Sequence, residues 1–137
     1  MSKNFYIASG FKNIPIVTLI ATQLETSQFK RTYDWTKNNK AVSLTELREI
    51  GEKEYQGIVD CDFFILVFPG GKGANIEFGI AMALQKPIYL YDTTDEIENV
   101  EKTCTFYFLE SVTRFQGSSQ DFCQMVLNSE KAKATDY

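Results

Sequence analysis

Asp62-Phe-Phe-Ile-Leu-Val-Phe-Pro69, continued by Gly70-Gly-Lys-Gly-Ala-Asn-Ile-Glu-Phe-Gly-Ile-Ala-Met-Ala-Leu84, is the most informative stretch of the chain. Its first half is apolar at six consecutive positions, the pattern of a strand buried on both faces in the middle of a parallel sheet. Gly70, Gly71 and Gly73 follow, and they let backbone approach a ligand closely where the next helix begins. In that helix Glu77 is the only charged residue between Lys72 and Lys86. At helical spacing it shares a face with Ile80, Ala81 and Leu84. A carboxylate set beside apolar surface has its neutral form favoured and its pKa raised, as in many enzymatic acids and nucleophiles. The competing structural explanation is an acid placed in a first helical turn to complement exposed N–H groups, with Gly73 or Asn75 as the cap.

Outward from this stretch, strands and helices alternate. An apolar run over 5–9 ending at Gly10 predicts a strand, and 15–24 predicts a helix with Pro15 in its first turn. A second strand is expected over 30–35, then a polar loop over 37–40. Ser43 and Glu46 form a capping box that opens a helix running to about 59. Downstream, 86–91 predicts a fourth strand and 92–101 a solvated acidic loop. The 104–109 segment fits either a strand or a tight buried turn. A last strand over 112–115 and a helix over 118–127 complete the series, leaving 130–137 as a polar tail.

This alternation specifies an α/β protein: one three-layer Rossmann-like or flavodoxin-like domain over 1–129 with a parallel sheet of about five strands. Ligands of such sheets bind at the carboxyl ends of the strands, beside the point where strand order reverses. Ser9 and Gly10, Asp34 and Trp35, Gly71 and Gly73, and Glu77 all fall at such ends and are expected to converge on one crevice.

Composition narrows the function. The 137 residues suit one domain, and 44% hydrophobic, 14% aromatic and 23% charged residues describe a globular chain. A net charge of −4 leaves no broad basic surface for nucleic acid. No signal segment or membrane-spanning run is present in the sequence, so a cytoplasmic protein is expected. Cys61, Cys104 and Cys123 are odd in number and far apart, and read as buried reduced thiols rather than a disulfide frame or zinc site. Histidine is absent, which removes the commonest general base, the Ser-His and Cys-His arrangements and most metal sites. Acid–base or nucleophilic work then falls to carboxylates, tyrosines, lysines or thiols, with neither metal nor cofactor expected.

Four pieces taken in order carry a family likeness: Tyr6-Ile-Ala-Ser-Gly-Phe11; Glu54, eight residues before Asp62; Gly70-Gly-Lys-Gly-Ala-Asn-Ile-Glu-Phe-Gly-Ile-Ala81; and Lys86-Pro87. Together, over roughly residues 5 to 92, they resemble the nucleoside 2-deoxyribosyltransferase family and the related 2′-deoxynucleoside 5′-phosphate N-hydrolases. The resemblance implies that Glu77 attacks the anomeric carbon of the sugar, that Tyr6 orients it, and that Gly71 and Gly73 offer backbone N–H groups to the sugar or its phosphate. Ser9, Gly10, Asp34 and Asn75 join them as substrate-binding candidates. Trp35 is a candidate to stack on a base, against the plainer alternative that it belongs to the core. The resemblance also implies a small nucleoside or nucleotide substrate and a homodimer or higher homo-oligomer.

The chain departs from the family pattern at two places. Glu54 stands where the family generally has an aspartate to handle the proton of the departing base, and a solvated glutamate beside Glu52 and Lys53 is the alternative there. No acidic residue occurs in the glycine loop over 69–73, which favours hydrolysis over base exchange. Lys72 is placed to meet a 5′-phosphate, or simply to be an exposed loop lysine. Asp60 and Asp62 read as turn residues. A non-catalytic nucleotide sensor using the same crevice is the alternative to an enzyme. A phospho-acceptor receiver domain is excluded, because Pro69 ends the third strand where that class needs an aspartate.

Overall fold

The computed structural model describes residues 3–134. Its elements follow the expected alternation: β1 (Asn4–Ala8), α1 (Ile14–Thr26), β2 (Lys30–Arg31), α2 (Leu44–Asp60), β3 (Phe63–Phe68), α3 (Lys72–Ala83), β4 (Ile88–Asp92), β5 (Val112–Gln116) and α4 (Ser119–Ala134). The five strands form one wholly parallel sheet in the order β2-β1-β3-β4-β5. All six residues of β3 are buried, as an apolar run at the sheet centre requires. Helices α1 and α4 pack together, as do α2 and α3, which covers both faces of the sheet. Phe5, Phe29, Phe63 and Tyr89 meet ring to ring, while Tyr6 stacks on Phe64.

The chain leaves β1 toward β2 on one side and returns to β3 on the other, so strand order reverses between β1 and β3. Their carboxyl ends part there and open a crevice. Among the described residues, no helix is long and apolar enough to cross a membrane.

The structure alters three local expectations and decides one that the sequence left open. Strand β2 is two residues long, because the side chain of Asp34 accepts from the Thr36 amide and turns the chain into a 3₁₀ turn at Trp35–Lys37. Of the two forms open for 104–109 the structure takes the tight turn, a 3₁₀ turn at Thr105–Phe108 pinned by Tyr107 between Phe68 and Phe78. The acidic 92–101 segment is organised, not merely solvated: buried Asp92 accepts from the Thr94 amide and from Gln116, and Ile97 is buried beside it.

The last change concerns the C-terminal helix, which runs to Ala134 instead of stopping near 127. Glu130, read from sequence as the start of a polar tail, is only 1% exposed; it accepts from Lys3 and Lys133 at 3.0 Å and from the Tyr89 hydroxyl. Residues 135–137 of that tail lie outside the described residues. The cysteines are free thiols, with Cys61 and Cys123 buried and Cys104 half-buried.

Candidate active site

The loop after β3 is braced from both sides. Ser9 Oγ donates to the Val67 carbonyl at 2.8 Å, and Asn13 Nδ2 donates to Ser9 Oγ and to the Pro69 carbonyl, both at 3.0 Å. Position 70 must be glycine: a Cβ there would stand 2.8 Å from that of Ala74. Extended Gly71 precedes α3 with no side-chain cap, so the first amides of the helix are left for solvent or a ligand. Neither Gly73 nor Asn75 caps the helix. Asn75 instead donates to the Gly71 carbonyl at 2.9 Å and accepts from the Tyr107 hydroxyl.

This loop, the end of β1 and the facing sides of α2 and α3 enclose a cleft of about 480 Å³. Its walls are Ser9, Gly10, Phe11 and Trp35; Gly51, Glu54, Tyr55 and Ile58 of α2; and Gly71, Lys72, Gly73, Ala74, Ile76, Glu77 and Ile80 around α3. Apart from Lys72 at the glycine loop, the only charged side chains lining it among the described residues are Glu54 and Glu77.

Glu77 is held from beneath. Tyr6 is wholly buried in β1, and its hydroxyl donates to Glu77 Oε2. The Tyr6 ring lies parallel to Phe64 at 5.8 Å, and Gly57 lets α2 press on it, since a Cβ at 57 would come within 3.1 Å of the ring. Burial first, then the charge and hydrogen bond of Glu77, drive the Tyr6 pKa far upward, so the phenol stays a donor throughout the working pH range.

The two carboxyls perturb each other. Burial pushes Glu77 up to about 7, opposed by the Tyr6 hydrogen bond and reinforced by the charge of Glu54 and hydrogen bonding with it. Burial also raises Glu54, and hydrogen bonding with Glu77 offsets part of that. Two acids in one partly desolvated cleft do not ionise together easily, so near neutral pH they hold one proton between them. The result is a nucleophile or base beside an acid, built without histidine.

Of the residues expected at the site, Glu77, Glu54, Ser9, Gly10, Trp35, Gly71 and Gly73 line the cleft, and Tyr6 lies directly under it. Asp34 and Asn75 are not among its walls. Asp34 pairs with Arg31 at 3.2 Å and caps the following turn, because β2 ends too early to carry it inward. Asn75 ties the loop from the far side of α3. Trp35 is a buried wall: its Nε1 donates to the Ile7 carbonyl at 2.6 Å and its ring meets Phe11 edge-on. Sequence reasoning missed Asn13, Phe11, Gly51, Tyr55 and Ile58 as parts of the site. Projecting α2 from Glu54 yields three of them, since 51, 54, 55 and 58 share one helical face. Among the described residues, no group of three or more His, Cys, Asp or Glu side chains could hold a metal ion.

No family model matches the sequence, and no curated protein matches it. In structure the chain is similar to a CMP N-glycosidase of Clostridium botulinum, BcmB, with a TM-score of 0.60 at 17% identity, covering 90% of this chain and 98% of that one. At that identity the likeness shows a common fold, the five-stranded parallel α/β sheet with its helical layers.

Proposed function

We propose that this protein breaks the N-glycosidic bond of a nucleoside or nucleoside 5′-monophosphate through a covalent sugar–Glu77 intermediate. The observation that carries the reading is the buried Tyr6 hydroxyl donating to Glu77 at the base of an open cleft, with the Glu54 carboxyl beside it. On substrate binding, the proton of the pair passes to Glu54 and leaves Glu77 as the carboxylate. Glu77 then attacks the anomeric carbon as the bond to the base nitrogen breaks, and Glu54 gives its proton to that nitrogen as the base departs with the bonding pair. Water, deprotonated by Glu54, next attacks the same carbon and displaces Glu77, restoring both carboxyls. This is the logic of a retaining glycosidase, in which one carboxyl serves as nucleophile and the other first as acid and then as base.

Hydrolysis is favoured over transfer to a new base by the lack of any carboxylate in the glycine loop that would hold an acceptor, and the name of the structurally similar N-glycosidase is in keeping with it. The test is incubation with a panel of nucleosides, 2′-deoxynucleosides and their 5′-monophosphates, with and without a free acceptor base. Base release that disappears in Glu77→Ala is the expected result. Saturable nucleotide binding without turnover, unaffected by Glu77→Gln, would instead identify a sensor module.

A further inference from the structure

Two glycines of α2 stand six residues apart and have opposite reasons for being glycine. At Gly57 a Cβ would strike Tyr33 and the Tyr6 ring, at 3.0 and 3.1 Å. At Gly51 a Cβ would meet nothing within 4 Å. A glycine inside a helix is unfavourable relative to alanine, so packing within the protein does not account for Gly51. Gly51 does line the cleft, and it lies on one helical face with Glu54, Tyr55 and Ile58. Tyr55 is 50% exposed although it borders the cleft, which leaves much of its ring uncovered. Phe11, also in the walls of the cleft, is 76% exposed.

We propose that Gly51 and Tyr55 form the base subsite, with the missing side chain at 51 leaving room for the far end of the heterocycle. The inference rests on the catalytic role assigned above to Glu54. If Glu54 protonates the departing nitrogen, the base must lie against the part of α2 that carries Glu54. Its immediate neighbours on that face are the open backbone at 51 and the ring of Tyr55. Among the described residues that line the cleft the charged ones are the carboxyl pair and Lys72 of the glycine loop, while Gly51, Tyr55 and Ile58 on this face are uncharged, so the subsite takes a flat, uncharged aromatic heterocycle, held by stacking and apolar contact. Selection here is by size: a fused two-ring base reaches further along α2 than a single ring, and the space over Gly51 is what admits it.

The test compares adenine- and cytosine-bearing nucleosides and their 5′-monophosphates by calorimetry on a Glu77→Gln background, so that none is consumed, with and without Gly51→Leu. Gly51→Leu is expected to weaken the adenine ligands roughly tenfold or more, as a misfit in an apolar pocket does, while cytosine ligands change less than about twofold. Tyr55→Ala is expected to weaken both, and Gly51→Ala to raise the melting temperature, which shows that position 51 accepts a side chain without harm to the fold. If Gly51→Leu affects the two classes alike, or neither, the catalytic reading stands and the subsite is wrong. If the background protein binds no nucleoside or nucleotide at all, the catalytic reading falls and the subsite with it.

Discussion

The hydroxyl of Tyr6 donates to Glu77 Oε2 from a ring wholly enclosed by Phe64 and α2. The donor is therefore fixed in place by the fold, and in the proposed reaction that rigidity would help to aim the carboxylate. It also selects a protonation state, because a hydrogen bond to the ionised form favours ionisation and partly counters the burial of Glu77.

Tyr6→Phe keeps the ring and removes only the donor. Glu77 then becomes a weaker acid, its pKa moving further above about 7, and the alkaline limb of the kcat/KM profile shifts upward. A hydrogen bond to a charged group contributes about 1.5–3 kcal/mol, so activity should fall roughly 10- to 100-fold. Steady-state profiles of the two proteins between pH 5 and pH 9 check both effects; loss of activity with an unmoved limb would mean that Tyr6 acts only as a packing residue.

If the carboxyl pair works as proposed, the pH profile of the reaction is bell-shaped. With both acids protonated there is no nucleophile, and with both ionised there is no proton for the departing base. Activity should peak while one proton is shared and fall as pH rises through about 7, where Glu77 gives up its proton. Glu54→Gln removes the acid and the charge that raises Glu77. The variant should lose the alkaline limb and about 10²–10⁴-fold in rate on substrates with poor leaving groups, much less on those with an activated base.

What could be foreseen from sequence follows the range of the interactions involved. Strand β3, its glycine loop and Glu77 are contiguous, so an apolar run and its punctuation reveal them. Tyr6 and Glu54 came from the family likeness, and their meeting with Glu77 depends on how β1 and α2 flank β3. Asp34 was misplaced because its direction depends on where β2 stops, and an edge strand of two residues is decided by the turn after it. Glu130 could not be recognised at all, since its partner Lys3 lies 127 residues away and a lone charged residue near the end of a chain looks like tail.

That buried carboxylate gives a stability prediction with a definite sign. Burial alone raises the Glu130 pKa, but hydrogen bonds from Tyr89, Lys133 and Lys3 outweigh it and hold the group below the ordinary carboxylate range. A depressed native pKa means stability that is present above the unfolded-state value and lost as pH falls through the native one. Glu130→Gln should therefore be destabilised at pH 7 by about 1–3 kcal/mol, with the gap to the parent protein narrowing as pH falls below the ordinary carboxylate range. Urea denaturation at several pH values measures this directly. A gap that stays constant with pH would show that the ionised state of Glu130 contributes nothing.

The glycines of α2 allow the packing beneath the site to be separated from helix propensity. Gly51→Ala adds a methyl group where nothing lies within 4 Å, so it should stabilise the fold by about 0.5–1 kcal/mol through helix propensity alone. Gly57→Ala gains the same propensity but forces its Cβ against Tyr33 and the Tyr6 ring, and Tyr6 is wholly buried with Phe64 stacked beside it, so it has little room to yield. Overpacking of this kind costs about 1–3 kcal/mol, which should outweigh the propensity gain and leave Gly57→Ala less stable than the parent. The strain falls on the residue that holds Glu77, so Gly57→Ala should also lower kcat. Thermal unfolding together with kcat for the two single variants tests the argument: a Gly57→Ala protein as stable and active as the parent would mean that Tyr6 has more freedom than its enclosure implies, and that the fixed donor beneath Glu77 is not what aims it.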